Sequence, residues 1–576
     1  MATVPATGPP VHAARREGVR LDGERALRWA LLGLFALWLY VVLVWPMAQV
    51  LWRSLLDNDG RFIGLANYVR YFRTPAIAAS ITNSLTVSLI AMALTVGLAF
   101  VYAYALTRTR MPGRGAFRLI ATLPLFAPSL VSAIAFVYAF GNNGIVTRQT
   151  GVNLGLYGPR GIVLAEVFYC FPHALLILVA ALTAADARLY DAAAALGASR
   201  LRTFRTVTLP GVKYGLMSAC FVVFTLVITD FGVPKVVGGK YSVMATEIYN
   251  QVIGQQNFTM GATVSVVLLV PALLACIVDR IVQRRQYALV SAAARPLAPG
   301  RAVGTQIVLF GYCALVALAI LGIYAVIVAS SLVQRWPYNL GFTLRHYTFD
   351  SIGGYTALVN SLEVATLTAI VGTVVTFAGA YLVEKTRTPL SGVLAMLSLL
   401  PVSVPGMVLG LAYIFAFNAP GSVLNRIYGT LAILVLANLV HYFTVPFLTA
   451  TTTLKQMDPE FESVSASLGV PFYRTAWRVT IPIALPSIVG ISMYFFLNAM
   501  VTLSAVVFLV APGTELAAVA VLLLDDAGES AQATAMSVLI IGLGLLVRVV
   551  YWALLRGVTR RTQAWTRATT PTSGGS

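Results

Sequence analysis

The sequence has little charge: only 11% of its 576 residues are charged, whereas 58% are hydrophobic and the mean hydropathy is +0.82. Soluble domains carry about a quarter charged residues, so this balance excludes a soluble protein and indicates an integral membrane protein. The net charge of +19 does not indicate a nucleic-acid partner, because the basic residues stand in short clusters between apolar runs. Such clusters are typical of the positive-inside bias of membrane proteins.

Motifs for catalysis and cofactor binding are also missing. The pattern GxxxxGK[ST] does not occur, since the nearest stretch, Gly238-Gly239-Lys240, continues with Tyr241. There is no HExxH and no nucleophile elbow, and the four histidines and four cysteines show no metal-ligand spacing. The first 25 residues lack an apolar core, so we expect no cleaved signal peptide. We expect a chain that is not an enzyme and holds no metal or cofactor of its own.

Twelve apolar segments are long enough to cross a membrane, which takes about 20 residues each. They lie near 29–52, 80–106, 117–140, 161–184, 212–230, 261–279, 305–332, 361–383, 393–417, 427–453, 483–510 and 531–555. Placing the N-terminus in the cytoplasm puts 28 Lys and Arg residues inside and 11 outside. The positive-inside bias therefore predicts a multi-pass membrane protein with both termini cytoplasmic.

The two halves of the chain repeat each other. Three stretches match at an offset of 277: Asn83-Ser84-Leu85 with Asn360-Ser361-Leu362, TRMP (109–112) with TRTP (386–389), and LPLFAPSLV (123–131) with LPVSVPGMV (400–408). Each repeat contains six predicted spans, an even number, so the repeats are expected to be parallel and related by an axis along the membrane normal. The predicted units are an N-terminal cytoplasmic tail (1–28), a first repeat (29–284, core about 80–280), a cytoplasmic linker (285–304), a second repeat (305–556, core about 360–555) and a C-terminal cytoplasmic tail (557–576).

A further pair of matching stretches, at an offset of 272, lies on the predicted cytoplasmic side. The first is DAAAALGASRLRTFRTVTLP (191–210) and the second is ESVSASLGVPFYRTAWRVTIP (462–482), and in both the proline follows the glycine by thirteen positions. Each glycine permits a backbone turn that a side chain resists. Leu201, Phe204 and Val207 form an apolar stripe beside arginines, and Pro210 is predicted to begin the next span. The pattern predicts an amphipathic elbow that offers a surface to a partner.

The first stretch resembles the EAA loop of binding-protein-dependent ABC importer permeases, and the resemblance covers both halves, about 60–290 and 340–556. The matching positions are Asp191, Ala192, Ala193, Gly197, Leu209 and Pro210 in the first copy, and Glu462, Gly469, Ile481 and Pro482 in the second. The second copy departs from the family pattern, because Ser463-Val464-Ser465 stands where Glu-Ala-Ala is expected. The resemblance implies an all-α protein of the bacterial inner membrane with the type I importer permease fold and about twelve spans in two parallel repeats. It also implies two ATPase-coupling loops, a cytoplasmic ABC ATPase dimer that binds the ATP, and a periplasmic solute-binding protein.

Few polar residues lie inside the predicted spans. Glu166 and Asn438 occupy matching places at an offset of 272. They are candidates for a substrate pathway, although hydrogen bonds between helices would also explain them. Asn83 and Asn360 lie near predicted span ends, where helix capping explains them.

The cargo is suggested by the stretch 229–262. Its DFG start and its ATEIY run resemble ferric-iron permeases, whereas its longer form looks more like the permease group assigned to 2-aminoethylphosphonate. Lys235 and Lys240 would suit a phosphonate anion near the predicted outer mouth. The sequence analysis thus favours 2-aminoethylphosphonate, with ferric iron as the alternative. A secondary transporter, which shares the architecture of twelve spans in parallel halves, is a further alternative.

Overall fold

The structure, a computed structural model, describes residues 11–289, 297, 303–349, 353–386 and 388–562. Fourteen helices precede the gap at 290–302. They are α1 Val11–Leu39, α2 Trp45–Arg53, α3 Ala66–Arg73, α4 Pro75–Arg108, α5 Arg114–Ala121, α6 Ser129–Phe140, α7 Ile145–Thr150, α8 Pro159–Thr183, α9 Ala187–Ala195, α10 Arg200–Thr203, α11 Leu209–Thr229, α12 Gly232–Val237, α13 Met244–Tyr249 and α14 Phe258–Leu289. A π-helical turn joins α1 to α2, and another joins α10 to α11.

The second half has the same kind of architecture with one small hairpin added. Its helices are α15 Val303–Leu332, α16 Gly354–Thr386, α17 Pro389–Leu397, α18 Gly406–Phe417, α19 Leu431–His441, α20 Thr444–Lys455, α21 Glu460–Ser467, α22 Phe472–Thr475, α23 Ile481–Val501, α24 Ala517–Asp526 and α25 Ser530–Thr562. Strands β1 Val333–Arg335 and β2 Asn339–Phe342 pair antiparallel after α15. Helices joined by turns and loops make up most of the rest of the described chain, in agreement with the predicted all-α fold.

The span pattern matches the prediction of about twelve. Within the described residues, ten helices are long and apolar enough to cross a membrane, and two sharply bent helix pairs raise the number to twelve if each pair is one span. Continuity differs from the prediction at three places. The predicted spans 117–140 and 393–417 are each interrupted by a 3-10 turn, and α17 and α18 meet at 113°. The predicted span 427–453 bends by 56° between α19 and α20.

Prolines explain the two interruptions. Pro124 and Pro128 lie between α5 and α6, and Pro401 and Pro405 occupy the matching places between α17 and α18. Proline cannot donate a backbone hydrogen bond, and it disfavours helical geometry in the residue before it. Two prolines four residues apart therefore end one helix and begin another. Hydropathy alone, which is high across both breaks, could not reveal this.

The two repeats pack in the same way. In the first, α4 lies against α8 and α11, and in the second, α16 lies against α19, α20 and α23. The first helix of each half, however, packs on the other half. Phe35 and Trp38 of α1 contact Phe443, whereas Phe310 of α15 contacts Phe117.

The predicted boundaries of both tails fall inside helices. Helix α1 begins at Val11, inside the predicted tail 1–28, and α25 extends to Thr562, inside the predicted tail 557–576. Most of the predicted linker 285–304, and the rest of both tails, lie outside the described residues. Four of the 28 basic residues that loop charge assigns to the cytoplasm also lie outside the described residues: Arg295, Arg301, Arg387 and Arg567.

Candidate functional site

The two elbows, which we define as residues 186–210 and 459–482, contain the same turn. Gly197 has φ +68° and Gly469 has φ +65°, values in the left-handed region that favours glycine. After each glycine the backbone N–H returns to a carbonyl of the preceding helix, from Ala198 to Ala193 (3.0 Å) and from Val470 to Ser465 (2.9 Å). This is the hydrogen bond of a Schellman turn. The predicted glycine turns are therefore present in both elbows.

The sequence predicted that Pro210 begins the next span, but neither elbow proline begins a helix. Leu209 and Pro210 continue one long helix that runs from Arg200 to Thr229, and Ile481 and Pro482 continue the helix Phe472–Val501. A π-helical turn lies directly before each pair. Its wider winding accommodates a residue that lacks an N–H and would crowd the preceding turn.

Both elbows expose apolar side chains. Leu196 is 85% exposed in the first elbow, and Leu468 and Trp477 are 74% and 73% exposed in the second. Asp191 and Ala192 are exposed, whereas Ala193 is buried. Exposed apolar residues of this kind suit contact with a partner protein or with the membrane surface.

The predicted stripe of the first elbow is exposed only in part. Leu201 is exposed, but the Phe204 ring packs against Phe100 and Tyr104 of α4. Phe204 therefore fixes the elbow to the helix behind it instead of facing a partner.

A basic residue at the end of a long helix holds each elbow. In the first repeat, the Arg108 guanidinium donates to the Leu182 carbonyl (3.0 Å) and to the Tyr190 hydroxyl (3.2 Å), and it lies over the Tyr190 ring. In the second repeat, Lys385 forms an ion pair with Glu462, with an Nζ–Oε1 distance of 2.7 Å. Glu462, the acidic residue that departs from the family position, is thus engaged within the chain.

The second elbow also borders a cavity of about 980 Å³ that it shares with α1 and the end of α16. On its wall the Arg28 guanidinium lies 4.7 Å from the centre of the Phe472 ring. The two elbows therefore differ in what supports them, because α1 crosses over to the second repeat.

A buried carboxyl group of the first repeat lies close to a second one. Glu166 is fully buried, its Oε2 accepts from the Cys170 thiol (3.7 Å), and its carboxyl group lies beside that of Asp230. Asp230 accepts from the backbone N–H of Val233 (2.8 Å). The second oxygen of Glu166, Oε1, has no hydrogen-bond partner.

In the second repeat the corresponding positions are neutral. Asn438 is fully buried and donates to the Leu434 carbonyl of its own helix (2.9 Å), while its Oδ1 has no partner. Thr502, at the place of Asp230, donates to the Tyr442 hydroxyl (2.9 Å). Among the described residues, no hydrogen bond joins Glu166 to Asn438. Sequence reasoning noted Asp230 only as part of the DFG start and did not place it beside Glu166.

Asn83 and Asn360 do not cap the helices to which they belong. They lie well inside α4 and α16, and together with the serine that follows each of them they hold helices that begin about 160 residues later. Ser84 Oγ accepts from the Met244 N–H (2.8 Å), and Ser361 Oγ accepts from the Ala517 N–H (2.7 Å). The capping expectation for Asn83 and Asn360 was therefore wrong, because the serine after each asparagine does the capping and the asparagines donate to loop carbonyls.

The two lysines proposed to attract an anion have different surroundings. Lys235 forms an ion pair with Asp526 (3.2 Å) and lies over the Tyr249 ring. Lys240 is exposed beside a hollow of about 540 Å³. Burial raises the pKa of the neighbouring Asp525. Lys235 is thus already neutralised within the chain.

Comparison with known proteins identifies the chain. The family described as "Binding-protein-dependent transport system inner membrane component" matches residues 95–287. The ferric transport system permease protein FbpB of Actinobacillus pleuropneumoniae is 28% identical over 558 residues, which cover 92% of this chain and 79% of that protein. The putative 2-aminoethylphosphonate transport system permease protein PhnV of Salmonella typhi is 30% identical over 227 residues, 39% of this chain and 85% of that protein.

The chain belongs to this family of transport-system inner membrane components. The resemblance inferred from the elbows is therefore confirmed, as is the fold of an importer permease. A crystal structure of a bacterial alginate ABC transporter aligns with a TM-score of 0.38 at 17% identity, over 45% of this chain and 95% of that one. In the described part of the permease, no group of three or more His, Cys, Asp and Glu residues could hold a metal ion.

Proposed function

We propose that this permease is the membrane subunit of an ATP-driven importer whose cytoplasmic ATPase dimer docks on the two elbows. The observation that carries the proposal is the duplication of the elbow, with the same left-handed glycine turn and exposed apolar residues in each copy. One elbow per repeat suits one ATPase subunit per repeat. ATP is bound by the partner, and a periplasmic binding protein delivers the cargo to the side opposite the elbows.

The elbows contribute position and contact surface. Each stands on a rigid helix and is fastened behind by Arg108 or Lys385, so a displacement of the docked ATPase reaches the spans directly. This role places the elbows and both termini in the cytoplasm, in line with the charge distribution of the loops.

The docking proposal is tested with Gly197→Asp and Gly469→Asp. A side chain in the left-handed region strains each turn, so we expect the ATPase to co-purify in smaller amount while membrane insertion is unchanged. The first elbow is nearer the family pattern, and its change should affect transport more. Gly211→Ala is the matched control, because a Cβ there meets no atom within 4 Å. Wild-type co-purification and uptake in both aspartate variants would contradict docking on the elbows.

For the cargo we propose ferric iron, with 2-aminoethylphosphonate as the second candidate. The ferric permease named above aligns over 92% of the chain and so spans both repeats, whereas the phosphonate permease aligns over 39%. The charges of this loop also favour ferric iron over the phosphonate. Lys235 is paired with Asp526, so of these two lysines Lys240 is the one that can attract an anion. The Glu166–Asp230 pair suits a cation, and Glu166 and Asn438 are proposed to line the pathway.

The second candidate keeps a specific observation in its favour. A relative that transports 2-aminoethylphosphonate by name is 30% identical over its aligned region. The amine of that compound is a cation, so the carboxyl pair does not exclude it. The two cargoes must therefore be separated by measurement.

Reconstituted vesicles that contain the permease, its ATPase and its binding protein provide the test. We expect ATP-dependent uptake of ferric iron and little uptake of 2-aminoethylphosphonate. The reverse result would make the phosphonate the cargo. Uptake that persists without ATP and stops when the proton gradient is dissipated would indicate a secondary transporter.

A further inference from the structure

Each repeat contains one long helix whose two ends are both fastened to functional segments. Helix α4 has 34 residues and α16 has 33, and neither contains an internal proline. At 1.5 Å per residue they are roughly 50 Å long, which exceeds the hydrocarbon core of a bilayer, about 30 Å. Both therefore reach from one side of the membrane to the other without interruption.

One end of each helix holds an elbow. Arg108, the last residue of α4, is bonded to Leu182 and Tyr190, and the Tyr190 hydroxyl in turn donates to Thr208 (3.1 Å). Near the end of α16, Lys385 is paired with Glu462. The position along the helix is the same in both repeats, although the chemistry differs.

Asparagine and serine near the other end hold a short loop helix. Asn83 Nδ2 donates to the Ser242 carbonyl (2.8 Å), and Ser84 accepts from the first N–H of α13. Asn360 Nδ2 donates to the carbonyls of Gly513 (3.0 Å) and Glu515 (3.1 Å). Ser361 accepts from the first N–H of α24. Here the chemistry is the same in both repeats.

The loop segments held in this way, 230–249 in the first repeat and 502–526 in the second, contact each other. The ring of Tyr249, the last residue of α13, stacks on the ring of Phe508. Lys235 of the first segment forms an ion pair with Asp526 at the end of α24. Asp230 lies at the start of the first of these segments and belongs to the carboxyl pair. The far end of each long helix is thus fastened to the segment that borders both the polar interior and the opposite repeat.

We propose that α4 and α16 are linking helices that transmit movement of an elbow to the loop segment on the opposite side, with Asn83, Ser84, Asn360 and Ser361 as positioning residues. This inference rests on the proposed docking of an ATPase at the elbows. The serine and the basic residue of each helix are 24 residues apart in both repeats, roughly 36 Å along the axis. An unbroken helix of that length moves as one body, so a displacement at the elbow must appear at the loop helix as long as both attachments hold.

The test uses Ser84→Ala and Ser361→Ala, which remove one acceptor each, in the complete complex with ATPase and binding protein. We expect normal co-purification of the ATPase but less stimulation of ATP hydrolysis by liganded binding protein, by about fivefold or more. The amount of cargo transported per ATP hydrolysed should fall as well. Ser84→Thr and Ser361→Thr keep the hydroxyl and should restore coupling. Ser88→Ala is the matched control, because Ser88 is fully buried one turn along α4, its hydroxyl has no partner, and the second repeat has Ala365 at that place.

A double-mutant cycle separates linkage from a local packing defect. Ser361→Ala and Lys385→Gln break the attachments at the two ends of one helix. Together they should therefore lower the stimulation of ATP hydrolysis no more than the stronger single change does. Ser84→Ala with Lys385→Gln breaks one attachment of each helix, so the fold reductions in stimulated hydrolysis should multiply. The inference is overturned if Ser84→Ala and Ser361→Ala keep the stimulated ATP hydrolysis of Ser88→Ala, or if they no longer bind the ATPase. It is also overturned if the reductions caused by Ser361→Ala and Lys385→Gln multiply in the double variant. Absence of stimulated hydrolysis in the wild-type complex would instead refute the proposed function.

Discussion

The two repeats share one skeleton and place their charges differently. In the first repeat the interior contains a carboxyl pair, Glu166 and Asp230, and the elbow is held by an arginine on a tyrosine. In the second repeat the corresponding interior is neutral, and the ion pair is found at the elbow, between Lys385 and Glu462. Glycine turns, serine caps and proline breaks are the same in both. The backbone-shaping residues therefore define the fold, whereas the position of charge separates the roles of the halves.

The break in the third span of each repeat adds a finer difference. In the first repeat Ser129 faces Gly232, and in the second Gly406 faces Ser504, so serine and glycine have exchanged sides. A Cβ on either glycine would collide with the facing serine. The contact keeps its volume while its two members change places, which shows that close approach is the requirement there.

The largest effect is expected from replacing the interior carboxyl group. Glu166→Gln keeps the shape and exchanges the carboxyl group for an amide. A buried polar group left without its partner costs about 1–3 kcal/mol, so uptake should slow by roughly five- to a hundredfold. Asn438→Gln, the matched change in the neutral repeat, should have a smaller effect. Equal losses in initial uptake rate for the two variants would remove the functional difference between the interiors.

A stability change of intermediate size is expected at the exchanged contact. Gly406→Ser places two serines face to face and should destabilise the protein by about 1–3 kcal/mol through overpacking. Adding Ser504→Gly creates the arrangement already present in the first repeat and should recover most of that loss. Thermal unfolding in detergent measures both. If the double variant is no more stable than the single one, the two breaks are not interchangeable.

The smallest effect on stability is expected when the ion pair of the second elbow is removed. Lys385 and Glu462 are partly exposed, and pairs of that kind contribute about 1 kcal/mol or less. Glu462→Gln should therefore leave the unfolding temperature nearly unchanged. A large loss of stability in the glutamine variant alone would show that the second elbow depends on its charge for folding.

Much of this molecule could be predicted from its sequence, because hydropathy, loop charge and the internal repeat are all strong signals in a membrane protein. The spans, the parallel repeats and the elbow glycines follow from them. The continuation of the helix through Pro210 could not be predicted, since a π-helical turn has no sequence pattern of its own. Asp230 and the serine caps depend on contacts between residues far apart in the chain, such as Ser84 with Met244, and a single sequence does not reveal such pairs.

The exchange of first helices has a consequence for synthesis of the protein. Helix α1 packs on Phe443 and Phe472, which leave the ribosome about 400 residues after it. At about 5–20 residues per second, α1 waits roughly 20–80 s in the lipid before its neighbours exist. During that interval the first repeat also lacks α15, which later covers its α5 and α6. Neither half completes its tertiary packing alone, so covalent continuity of the chain guarantees that each nascent half meets the one partner able to finish it.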